Sequence, residues 1–361
     1  MPPTRRDPAL DALRMLAIAL MACSHSARLV PSAQRPFWGE PTLLLEPLTQ
    51  ALFLALVGAS LLHSLEGARA RGLSGPRWLG GRLRRVAWLA GLSTLFFIVE
   101  LGPTWPHLLL STGILTLIAA SMALYAPLLL LPRPGLWVGA ATLGLWALAL
   151  TLDDQGRWVL ALNGGNGPLL PSAVYAGLGL CAALVLRRWP RGGAVVLGVV
   201  ALVGAGVVLA LAPSFVGALD SDWSRSDHTL HLMGRSHGLG NTWDLLRGVP
   251  LERRTATFFN PRAHIVPLVW GLVSALYALA ALARPLLARA PRWLLAMGRH
   301  SLGVYVLHLG LVALPIAALG TMHPFHRGWQ GSGWLLAMLA ACWIYALLRD
   351  RTAAPRAPHA S

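Results

Sequence analysis

The sequence predicts an all-α, polytopic integral membrane protein: a bundle of about ten transmembrane helices with both termini in the cytoplasm. Three observations predict it. Hydrophobic residues make up 55% of the 361 positions and charged ones 12%, about half the charged share of an ordinary soluble domain. Several apolar runs approach or exceed the roughly 18–20 residues that cross a bilayer. The thirty basic residues, all arginine, gather in short segments between those runs. A formal charge of +16 would also suit nucleic acid. Clusters confined to the ends of apolar runs are more simply anchors against anionic lipid, so the expected partner is the bilayer and not nucleic acid.

The spans are expected at about 10–30, 43–65, 86–101, 108–131, 135–152, 168–186, 193–212, 264–283, 300–319 and 332–348. With a cytoplasmic N-terminus, the inside segments hold nineteen arginines and the short outside loops only Arg28, Arg35, Arg157 and Arg327. That asymmetry sets the orientation. Residues 1–348 then form one multi-pass domain of the inner (plasma) membrane, including an outside loop at 213–263, and 349–361 form a disordered cytoplasmic tail. Cys23, Cys181 and Cys342 each lie in an apolar run and suggest neither a disulfide framework nor a zinc spacing. Leu20-Met21-Ala22-Cys23 imitates a lipoprotein cleavage site, but Asp7 and Asp11 occupy what would be its positive region, and processing is not expected.

The opening span carries the most chemistry. In DALRMLAIALMACSH, from Asp11 to His25, eleven positions separate Arg14 from His25. On a helix that leaves them about 20° apart around the axis and about 16 Å apart along it. Asp11, three residues before Arg14, falls near the same line. Ionisable groups are costly in lipid, so this stripe has to face protein, water or a ligand, and it is the expected floor of an active site. Ser24 adjoins His25, but consecutive helical residues diverge by about 100°, which argues against a Ser–His nucleophile pair.

The second span places Glu46 and Gln50 one turn apart, either as an interhelical hydrogen-bonded pair or as the substrate-binding lining of a cavity shared with His25. Gly58 and Ser60 allow a neighbouring helix to come close. The next loop presents Arg82, Arg84 and Arg85, as a lipid anchor or as partners for the phosphates of a cytoplasmic cofactor. The short outer loops offer His107, Asn163 and Asn166 as substrate contacts. GGNG in the second of these is a turn and not a phosphate loop, because neither a preceding strand nor a following GKS or GKT accompanies it. The histidines of 213–263 match no metal spacing, so no metal is expected; the segment reads as a solvated cap or a sugar-binding lid. In the ninth span Ser301, Tyr305 and His308 recur at i, i+4 and i+7 and share a face. This second polar stripe serves packing or chemistry.

These stretches carry a resemblance. LDALRMLAIALMACSH, FLALVGASL, WPHLLLSTGILTLIA, GPLLPSAVYAGLGL and GRHSLGVYVLH resemble the transmembrane acyltransferase superfamily. They are most similar to bacterial relatives of heparan-alpha-glucosaminide N-acetyltransferase. The chain also shares with the membrane acyltransferase-3 family an arginine and a histidine separated by ten residues, here Arg14 and His25. Met15 stands where the family often has glycine, and Ser24 where an acidic or amide residue commonly precedes the histidine.

The resemblance implies transfer of an acyl group from cytosolic acetyl-CoA or another acyl-CoA to a hydroxyl or amine of a sugar, glycan or lipid-linked saccharide on the far side. Arg14 would hold a phosphate or the polar part of the CoA arm, with Asp11 orienting it. His25 would act as general base. Tyr305, Ser301 or His308 would stabilise the oxyanion or position the acceptor. A homodimer is common among such bundles. The competing expectation is a non-catalytic transporter, flippase or sensor on the same scaffold. A transporter more often shows an internal repeat with Gly- or Pro-broken helices, and no convincing repeat is evident.

Overall fold

A computed structural model of the protein describes residues 7–101, 113–155, 162, 169–190, 192–204, 206, 263, 266–319 and 323–353. The described residues form helices and no strand. In order these are α1 (Pro8–Arg28), α2 (Gly39–Leu44), α3 (Glu46–Ala70), α4 (Gly75–Leu101), α5 (Ile114–Leu128), α6 (Pro134–Asp154) and α7 (Ser172–Arg188). There follow α8 (Gly192–Gly204), α9 (Val266–Leu282), α10 (Arg284–Arg289), α11 (Ala296–Arg299), α12 (Ser301–Leu319) and α13 (Gly328–Ala353).

Each apolar run read from the sequence contains one of these helices. Among the described residues, four are long and apolar enough to cross a membrane: Pro8–Arg28, Leu48–Ala70, Pro134–Leu152 and Gly328–Thr352. The bent pair Arg292–Arg299 and Ser301–Ile316 makes a fifth if it is one span, and α5, α8 and α9 are shorter apolar helices. The protein is therefore a helical membrane protein. α13 continues to Ala353, past the expected end of its span at 348, because Asp350 in its last turns is tied to Arg299 and His300.

The chain divides into two compact units, Met1–Arg6 with Gln50–Leu279, and Asp7–Thr49 with Ala280–Ser361. In the first, α4 pairs with α5 and α6 with α7. Small residues set its tightest crossing. A Cβ on Gly58 would stand 1.9 Å from the Ala176 carbonyl oxygen, and one on Gly179 would stand 2.1 Å from that of Ala55. Only glycine lets α3 and α7 approach so closely. Polar side chains then fix the pairing. The Gln50 amide donates to Ser172 Oγ at 3.1 Å, Arg187 reaches Glu66 at 2.8 Å, and Trp78 Nε1 donates to Ser64 Oγ at 3.0 Å. α5 opens at Gly113, whose φ of 86° is the left-handed backbone that suits glycine.

In the second unit α1 is the hub, packed by α2, α10, α11, α12 and α13. Its start is defined by local chemistry: the Asp7 carboxylate accepts from the Ala9 N–H at 3.0 Å, and Pro8 opens the first turn. Arg284 pairs with the same Asp7 carboxylate at 3.0 Å. α11 lies so close to α1 that a Cβ on Gly298 would stand 1.8 Å from the Asp11 carbonyl oxygen. The chain bends by 74° at His300 before α12 begins. Asp350 holds that bend, accepting from the Arg299 guanidinium through both oxygens and meeting His300 Nε2 at 2.8 Å. At the opposite end of α1 the Phe325 N–H donates to the Leu29 carbonyl at 3.2 Å, His323 Nδ1 meets the Arg28 carbonyl at 3.0 Å, and Trp38 donates to Ser332 at 3.1 Å.

Candidate active site

The polar stripe of α1 is turned into the second unit. Apart from Arg14, His25 and Arg28 themselves, the partly exposed positions Ala12, Met15, Leu16, Ala19, Leu20 and Cys23 centre on the side of the helix about 180° from Arg14 and His25, at about 100° per residue. Burial of the other side by α11, α12 and α13 is what makes ionisable groups tolerable there. The stripe is not polar along its whole length. Between its two ends stand Ile18 and Met21, both buried, so a cation and an imidazole flank an apolar stretch.

At one end the Arg14 guanidinium donates from Nη1 to Asp11 Oδ1 at 2.7 Å. Asp11 is buried, while 22% of the Arg14 side chain is exposed. A carboxylate taken out of water next to a guanidinium is held by a charge-assisted bond and fixes the cation's direction in return. The accessible part of Arg14 can still meet an anionic group.

At the other end three aromatic rings converge. His25 Nδ1 lies 3.3 Å from His308 Nε2. The two rings stack with centroids 5.2 Å apart and planes 23° from parallel. Tyr305 meets the His308 ring edge-on at 5.1 Å and 64°. His308 is wholly buried and Tyr305 nearly so, whereas His25 is partly exposed. Of the three residues, then, His25 is the one that the chain leaves partly uncovered, and α12 supplies the wall behind it. Ser301 is partly buried in the first turn of α12. Ser24 Oγ is buried with no hydrogen-bond partner among the described residues, which agrees with its pointing away from the His25 side.

The structure thus brings together Asp11 with Arg14, and His25 with Tyr305 and His308. Gln50 and Arg82, Arg84 and Arg85 belong to the first unit. There the Gln50 amide is engaged by Ser172, an interhelical bond of the kind weighed for it. Glu46 opens α3. Arg82 is half-buried, and partial burial, then the charges of Arg85 and Arg71, hold its guanidinium below the usual arginine value. Like charges crowded in this way favour an anion among them. His107, Asn163, Asn166 and the segment 213–262 lie outside the described residues. Among the described residues no group of three or more His, Cys, Asp or Glu side chains is placed to hold a metal.

Sequence reasoning passed over Arg28. Its charge is close enough to act on His25, and its position was readable: it lies fourteen residues after Arg14, which is about 40° around the helix. The Arg299–Asp350–His300 tie at the bend was not readable, since it joins residues 50 and 51 positions apart.

Residues 6–178, a little under half of the chain, match the family model for heparan-alpha-glucosaminide N-acetyltransferase, catalytic. That stretch includes Asp11, Arg14 and His25 and ends well before Tyr305 and His308. The likeness to the membrane acyltransferase-3 family rests on the Arg14–His25 spacing alone. No curated protein matches the chain.

Proposed function

We propose that this protein is an integral-membrane acyltransferase. It moves an acyl group, acetyl by its likeness to the N-acetyltransferase family, from cytosolic acyl-CoA to a hydroxyl or amine of a sugar or glycan on the opposite face. The reading takes all ten apolar helices as spans, both termini as cytoplasmic and the bacterial inner membrane as the site of action. The observation that carries it is the inward-turned stripe of α1, with Arg14 at one end and His25, backed by His308, at the other.

In this chemistry Arg14 binds a phosphate or the polar part of the CoA arm, as a permanent cation already oriented by Asp11. The acyl arm runs past Ile18 and Met21, where apolar side chains suit its alkyl portions. The acceptor oxygen or nitrogen attacks the thioester carbonyl while His25 takes its proton. The carbon–sulfur bond breaks, and the proton held by His25 leaves with the CoA thiolate as the thiol. Arg82, Arg84 and Arg85 remain the candidates for the phosphates of a cytoplasmic cofactor. Glu46, Gln50, His107, Asn163 and Asn166 remain the candidates for holding the acceptor.

The test is release of free CoA thiol from acetyl-CoA by the purified protein in nanodiscs, which leave both faces open to solution, with a panel of amino sugars and neutral glycans added. Thiol release that rises with one class of acceptor supports the reading. No release above empty nanodiscs across several acyl-CoA donors overturns it.

A further inference from the structure

We propose that His308 is a positioning residue that fixes the proton of His25 on Nδ1, and so makes Nε2 of His25 the atom that accepts the substrate's proton. The inference rests on the acyl-transfer reading for its kinetic consequence, but its structural content stands apart from that reading. It replaces the broader expectation that His308 touches the oxyanion or the acceptor.

A neutral imidazole carries one N–H and one lone pair, and in a buried pair each must meet its opposite. His308 is wholly buried. Its Nε2 faces His25 Nδ1 at 3.3 Å. The backbone carbonyls of Val304 and Tyr305, in the preceding turn of its own helix, act on the His308 ring; with Nε2 turned to His25, they fall on the Nδ1 side, where no well-formed hydrogen bond is made among the described residues. A carbonyl oxygen only accepts. A lone pair on Nδ1 would face carbonyl lone pairs in a medium without water, whereas an N–H there is attracted to them.

The proton of His308 therefore sits on Nδ1, and its Nε2 is the lone pair. That lone pair can only accept, so the N–H between the rings belongs to His25 Nδ1. What is left on His25 is Nε2, unprotonated, on the partly exposed ring.

Two consequences follow for the reaction. His25 starts each cycle with its base atom free, in one ring orientation set by the stacking on His308 and by Tyr305 wedged behind. When Nε2 takes the proton, the Nδ1–H bond to His308 becomes charge-assisted and strengthens as positive charge develops on the ring. Its Nε2 carries no proton and its Nδ1–H is turned toward its own helix, so His308 has no N–H to offer an oxyanion.

The test compares His308→Gln with His308→Leu in the full-length protein, with two readouts. A glutamine places an amide oxygen near the position of Nε2 and can accept from His25; leucine cannot. The expected result is that His308→Leu loses roughly 100-fold or more in kcat, with the KM for acyl-CoA changed by less than about twofold, while His308→Gln recovers most of the loss. The second readout is 15N NMR of histidine-labelled protein, with the His25 signals assigned by their absence in His25→Ala. It should show a protonated Nδ1 and a bare Nε2 for His25. A wild-type kcat in His308→Leu, equal loss in folded Gln and Leu variants, or a protonated His25 Nε2 overturns the proposal. The spectrum decides even if neither variant folds and even if no acyl transfer is found, so failure here and failure of the acyl-transfer reading are told apart.

Discussion

His25 and His308, 283 positions apart in the chain, meet ring to ring with 3.3 Å between Nδ1 and Nε2. The contact joins a partly exposed histidine on the inward side of α1 to a partner that is wholly buried. It turns a histidine on an apolar helix into a group with a defined orientation.

Arg14 is placed to bind the donor and not the acceptor. Arg14→Ala should raise the apparent KM for acyl-CoA roughly tenfold, the loss of one charge-assisted contact, with the KM for acceptor little changed. Asp11→Asn should act in the same direction and more weakly, because Arg14 keeps its charge but loses its anchor. Initial rates over a matrix of both substrates separate these. A change in acceptor KM alone would mean that the donor enters from the His25 end.

Gly298 sits against the Asp11 carbonyl with no room for a Cβ. Gly298→Ala should push α11 off α1, costing about 1–3 kcal/mol by the usual overpacking penalty and lowering the midpoint of thermal unfolding in detergent. Because Asp11 lies at the contact, the KM for acyl-CoA should rise as well. An unchanged midpoint would show that the two helices stand further apart.

Gly179 tests the first unit in the same way. Gly179→Ala places a methyl group on the Ala55 carbonyl and should cost a similar amount, about 1–3 kcal/mol, read as a drop in the unfolding midpoint. A neighbouring control is Gly139, where an added Cβ meets nothing within 4 Å; Gly139→Ala should leave the midpoint unchanged or raise it slightly.

Much of the α1 stripe was legible because helical spacing is a local property. Eleven positions bring Arg14 and His25 to one side whatever surrounds the helix, and the cost of ionisable groups in lipid then dictates which way that side turns. The same arithmetic placed Tyr305 and His308 on one face of α12. What it could not supply was the partner of each stripe. In a membrane helix nearly every face is apolar, so periodicity does not say which neighbour a face packs against, and the His25–His308 contact exists only through the fold. The bend at His300 was hidden for a related reason. The expected ninth span does begin at 300, but nothing local says that the chain turns there: the bend depends on Gly298 lying against α1 and on Asp350, 50 residues on, capturing His300. The apolar interruption by Ile18 and Met21 was visible in the sequence, and its meaning became clear only once both were found buried on the polar side.

The central claim is that His25 takes the substrate's proton during acyl transfer. The most direct measurement is acyl transfer to a responsive acceptor by wild type and by His25→Ala, purified and reconstituted identically, with the unfolding midpoint recorded for both. The account predicts at least about a 100-fold fall in turnover, with the midpoint retained and the KM for acyl-CoA near the wild-type value. Turnover undiminished in a folded His25→Ala protein contradicts it.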